Sequence, residues 1–161
     1  MKKTCFVLLL VVVAGLSQAD LRSEFLAARN KQEKAALNKD FKAAEAAMKE
    51  SITSDFKYIQ AGKAQDAKTY MGEFMETLKM MEHIDQSGTR VISLKETGSK
   101  GAGEIELSMK GTMTGPDKKP HAIDWTGRFK EEFRKVGGKW KLAVMTQGKQ
   151  KFLMDGKPVK M

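Results

Sequence analysis

The chain predicts an α+β fold, with N-terminal helices packed against one face of an antiparallel sheet. Two observations carry that expectation. From Asp20 to about Glu82 apolar residues recur mostly at three- and four-residue spacing, broken once between Ser51 and Lys63. From His83 onward apolar and polar residues alternate along segments separated by turn residues. A strand that alternates in this way has one apolar face and one charged face. The apolar face must be covered, and the helices are there to cover it.

The first nineteen residues stand outside this pattern. Lys2 and Lys3 form a basic start, Cys5 to Leu16 is a nearly continuous apolar run, and Ser17-Gln18-Ala19 supplies small residues before Asp20. The run is short for a bilayer span, and the arrangement is that of a secretory signal peptide. We therefore expect a signal peptide over residues 1–19 and an exported protein, periplasmic or secreted, formed by a single domain over 20–161.

The first helix is expected from Asp20 to about Glu50, with Leu21, Phe25, Leu37, Phe41 and Met48 on its buried stripe. Arg29 to Lys34 carries no large apolar residue, so the helix is expected to protrude or bend there. Phe56, Tyr58 and Ala61 suggest a short edge strand, and Ala61-Gly62-Lys63 a turn. Asp66 can cap a second helix running to about Glu82, with Tyr70, Phe74 and Leu78 in its stripe. His83 then reads as a helix-end cap.

Four strands follow: Thr89–Glu96, Glu104–Thr114, His121–Val136 and Trp140–Thr146. Gly98 to Gly103 is expected as a flexible loop, and Gly137-Gly138 as a tight hairpin. Residues 149–161 form a C-terminal extension that either covers a pocket mouth or extends the sheet.

Composition excludes several functions. Of 29 basic and 20 acidic residues the leader takes Lys2 and Lys3, so net charge falls from +9 to +7. That suits weak attraction to anionic surfaces. Nucleic acid is not expected, because export argues against it and no base-stacking motif interleaves the lysines. Cys5 is the only cysteine and leaves with the leader, so neither a disulfide nor a thiol nucleophile is expected. Two histidines 38 positions apart form no metal motif, and no cofactor is expected.

Certain landmarks nevertheless point to a family. Asp55-Phe56, Tyr58 and Gly62-Lys63 precede the second helix, and Val136-Gly137-Gly138-Lys139-Trp140-Lys141-Leu142 forms the final hairpin. With the element order, this resembles the nuclear transport factor 2-like superfamily, also called SnoaL-like or ketosteroid-isomerase-like, over roughly residues 27–147. The resemblance implies a cone, in which a curved antiparallel sheet wraps the helices and encloses a pocket. It also implies a choice of roles, since members include isomerases, dehydratases, cyclases and binding modules.

If an apolar ligand is bound, Tyr58, Tyr70, Met109, His121, Trp125 and Phe129 are the expected wall. An isomerase-type member needs a carboxylate or imidazole base in an apolar pocket and a donor for the enolate. The catalytic candidates here are His121 or Asp55 as base and Tyr58 as donor. Each has a plainer reading: His121 at an open strand end, Asp55 in a turn beside Ser51, Thr53 and Ser54. Along the strand from His121, Glu131 is the only carboxylate in phase with the apolar face. Asp124 is out of phase unless a bulge near Gly127 shifts it. The pocket face is thus rich in Met, Trp, Phe and Ile and poor in ionisable groups. That favours a small-molecule-binding or accessory module over an isomerase, dehydratase or cyclase acting on a small carbonyl compound. A third reading is an interaction module that forms a homodimer through the charged sheet face, where Asp124, Arg128, Lys130, Glu132 and Arg134 alternate in sign.

Overall fold

The structure, a computed structural model, describes residues 20–115 and 117–159. The expected signal peptide lies outside the described residues. Three helices, α1 (Leu21–Leu37), α2 (Phe41–Ser51) and α3 (Ala67–Met80), pack against a curved seven-stranded sheet that does not close. Its strands are β1 (Ile52–Gln60), β2 (Lys63–Asp66), β3 (Met81–Thr97), β4 (Lys100–Thr114), β5 (Pro120–Val136), β6 (Lys139–Met154) and β7 (Lys157–Pro158). They lie in the order β2-β1-β6-β5-β4-β3, with β7 paired to β6. All neighbours are antiparallel except β1 and β6. No helix among the described residues is long and apolar enough to cross a membrane.

Each helix begins on an aspartate whose carboxylate accepts a backbone N–H of the first turn. Asp20 takes Ser23, Asp40 takes Ala43 and Asp66 takes Thr69, at 2.7 to 2.9 Å. Asp40 also explains a correction. The single helix expected over 20–50 is two helices, because the chain turns at Asn38–Asp40 with Lys39 in the left-handed region at φ 54°. Asp40 caps the restart. The break therefore falls after the polar stretch Arg29–Lys34 and not within it.

Three further expectations are corrected. The strand holding Tyr58 is not an edge, since β1 lies between β2 and β6. His83 caps nothing: α3 ends at Met80 and His83 is already paired with Thr112 in β3. The Gly-rich loop shrinks to a turn at Gly98-Ser99, and Gly101 and Gly103 belong to β4. They are small because other groups crowd them. A Cβ on Gly101 would come within 2.4 Å of Leu21 Cδ2, and one on Gly103 within 2.4 Å of the Ser93 carbonyl oxygen.

The core forms two clusters. Leu21 and Phe25 of α1 pack on Phe56, Phe133, Trp140 and Leu142 at one end. Ala35 and Ala36 of the same helix pack with Leu78, Met81, Ile84 and Ile123 at the other. Strand β5 shows how alternation builds this. Ile123, Phe129, Glu131 and Phe133 are buried, whereas Arg128, Lys130, Glu132 and Arg134 are exposed.

Candidate functional site

Sidechains from both clusters border a cavity of about 460 Å³ beneath α1 and α3. Small-molecule sites typically measure about 300–1,000 Å³. Leu107, Met109 and Met113 of β4, with Ile123, Trp125 and Phe129 of β5, form its sheet wall. Ala36, Phe74 and Leu78 supply the helical side. A second cavity, bordered by Arg29, Tyr70 and Trp140, measures only about 40 Å³.

Tyr58 and Tyr70 stand together, their ring centroids 4.6 Å apart. Tyr58 donates its hydroxyl hydrogen to Gln147 Oε1, and the Tyr70 hydroxyl donates to the Met145 sulfur at 3.5 Å. Burial raises both phenols above the ordinary value, Tyr70 to about 12. The carboxylate of Glu73 adds to the shift at Tyr58.

Glutamines complete the polar part. Trp125 Nε1 donates to Gln150 Oε1 at 3.2 Å, as Tyr58 donates to Gln147. Each glutamine thereby has its oxygen engaged, and its NH₂ group is left as the donor available to a guest. One irregularity puts both residues in the lining. Gly127 pairs with Gln150 but Phe129 pairs with Gln147, so β6 carries one extra residue there. Without that bulge, Gln147 and Gln150 would face opposite sides of the sheet. The sequence hinted at a bulge near Gly127; the extra residue lies across from it, at Gly148-Lys149. Asp124 stays outside, 3.3 Å from Lys110.

The residues singled out from sequence divide into two groups. Tyr58, Tyr70, Met109, Trp125 and Phe129 line the cavity. His121 and Asp55 do not. His121 lies at the sheet's end, Nδ1 2.6 Å from Asp155 and Nε2 2.8 Å from Asp117. Its hydrogen bonds to these two carboxylates, that to Asp155 foremost, raise its pKa. Asp55 is exposed and receives Arg134 Nη2 on both oxygens at 2.7 Å, which lowers its pKa. Neither reaches the cavity with Tyr58 to form a base–donor pair.

What sequence reading missed came mostly from outside the strands it drew. Gln150 and Phe152 belong to the expected C-terminal extension, whose described residues are the end of β6, a turn at Asp155-Gly156 and β7, so that it extends the sheet and also lines the cavity. Arg29 falls in the polar stretch of α1. Its guanidinium borders the cavity and is ion-paired to Glu131, whose side chain is fully buried. Burial raises the pKa of Glu131, and its Oε2 has no partner. Among the described residues, no group of three or more His, Cys, Asp or Glu could hold a metal ion.

No protein-family model matches the sequence, and no curated protein does. Solved structures match it in fold. LinA is 13% identical, with a TM-score of 0.64 over 86% of this chain and 88% of that one. A conserved protein from Planctomyces limnophilus is 12% identical, with a TM-score of 0.62 over 78% and 92%. An NTF2-like protein from Cytophaga hutchinsonii is 15% identical, with a TM-score of 0.56 over 80% and 98%. The chain has the nuclear transport factor 2-like fold. Identities this low carry the fold and leave function to the site.

Proposed function

We propose that this protein is an exported small-molecule-binding module that holds one largely apolar molecule beneath α1 and α3. The observation that supports it is the cavity of about 460 Å³ with its Met- and aromatic-rich wall. Methionine and aromatic side chains offer adaptable, polarizable contact to an apolar body. Gln147 and Gln150 add two amide donors, which suit a carbonyl, ether or hydroxyl oxygen on the guest. Binding is favoured over isomerase chemistry because His121 and Asp55 lie outside the lining with their polar atoms already engaged.

Native mass spectrometry of the protein from its own host's exported fraction tests both parts. We expect an N-terminus at Asp20 and a co-purifying small molecule that is lost when Phe129→Ala disturbs the wall. Bare protein, together with no thermal shift across a panel of apolar compounds, would overturn the binding reading. Recovery only in the cytosol with residues 1–19 attached would overturn export.

A further inference from the structure

The charges at the cavity run against those of the chain. Among the basic residues described, Arg29 alone lines it, and Arg29 is already neutralised by buried Glu131. Two carboxylates line it as well: Glu33 on α1 and Glu73 on α3. Neither forms an ion pair among the described residues. Glu33 accepts a hydrogen bond from the Thr89 hydroxyl, and Glu73 accepts one from Gln65 Nε2 at 3.0 Å. No lysine among the described residues lines the cavity, although the sequence is rich in lysine. The excess at the cavity is therefore negative on a protein whose net charge is +9 over the full sequence. Screening over about 8–10 Å confines the opposing positive field of distant lysines.

Aromatic faces line the same cavity, and the Glu73 carboxylate is close enough to Tyr58 to act on its phenol. Tyr58 and Tyr70 lie side by side, and Trp125 and Phe129 have centroids 6.1 Å apart. Aromatic faces attract cations, most of all ammonium groups that cannot be strongly hydrated. An anionic guest would meet Glu33, Glu73 and the far side of an Arg29 already satisfied by Glu131.

Resting on the binding reading above, we propose that the guest is an amphipathic amine. Its apolar body lies on Met109, Trp125 and Phe129, and its ammonium group lies among Glu33, Glu73 and the tyrosine faces.

Three probes with one tail and different heads test this by calorimetry: decyltrimethylammonium, decanol and decanoate. We expect the ammonium to bind about tenfold tighter than decanol, from one cation–π contact and weak exposed ion pairing together. Decanoate should bind weakest. In E33Q/E73Q the ammonium should fall toward decanol while decanol itself is unchanged. Decanoate binding as well as the ammonium would overturn the amine assignment and leave the binding reading standing. A preference for the ammonium that survives in E33Q/E73Q would overturn the role given to the carboxylates. Failure of all three probes would overturn the amine and the binding reading together.

Discussion

Tyr58 and Tyr70 are the only tyrosines in the chain, and both line the cavity. Alkaline titration therefore reads the site without background. Both phenols have raised pKa values, so each contributes stability that is complete below the unfolded value of about 10 and is lost as pH rises through the folded one. For Tyr70 that window is 10 to about 12. Tyrosinate absorbance should appear late, with its second half coincident with unfolding; two independent steps near pH 10 in folded protein would contradict the burial of Tyr70. Arg29 offers a second residue-level expectation. It is the only partner, among the described residues, of a fully buried carboxylate, so Arg29→Ala should cost about 3–5 kcal/mol in urea unfolding at neutral pH. Glu131 has a raised pKa, so its ionised form opposes folding as pH rises and its neutral form does not. The loss in Arg29→Ala should consequently shrink toward the acid side. R29M/E131M should recover much of it, and a double variant no better than the single one would show that the pair does more than compensate itself.

At the scale of elements, two local devices decide the shape of the site. One is the α1–α2 joint. Lys39 adopts a left-handed conformation that only glycine takes without penalty, so Lys39→Gly should stabilise the fold by about 0.5–1 kcal/mol. A lower melting temperature would mean that the Lys39 side chain, 3.2 Å from the Glu82 carbonyl, matters more than its backbone. The other device is the bulge in β6. Deleting Gly148 removes the extra residue and leaves Gln147 and Gln150 two positions apart, so plain alternation still turns Gln150 and Phe152 to the cavity and binding should survive; loss of binding with the strand still paired would mean that the bulge itself shapes the lining. These two devices also mark what was legible in sequence. Alternation in β4 and β5 was clear, and it brought Met109, Trp125 and Phe129 to the wall. The capping of α3 by Asp66 was equally clear. The bulge was not, because Gly148-Lys149 reads as the end of a strand and only pairing with Gly127 shows that the strand continues. Nor could local pattern show that Arg29, in a stretch without large apolar residues, reaches Glu131 some hundred residues later.

For the whole molecule, the division of charge matters most. Outside the sheet, Arg90 and Arg128 hold Glu106, Lys110 holds Asp124, and Arg134 holds Asp55. Such exposed pairs contribute little to stability, about 0–1 kcal/mol each. Stability therefore rests on the two core clusters, and the cavity lies between them. A guest that fills the cavity contacts both clusters at once and binds only the folded state. At a hundredfold excess over its dissociation constant it should add about 2.7 kcal/mol, roughly 10 °C in melting temperature for a domain this size. Phe129→Ala, which weakens one cluster and the wall together, should lower the melting temperature of the free protein and also remove most of that rise. Salt should leave the free protein's melting temperature nearly unchanged, since its surface pairs carry little of the stability. If the ammonium probe is the guest, salt should reduce the rise it produces, since its head is exposed to screening at Glu73. A melting temperature that climbed equally with every decyl probe, at any salt concentration, would place recognition in the apolar wall alone.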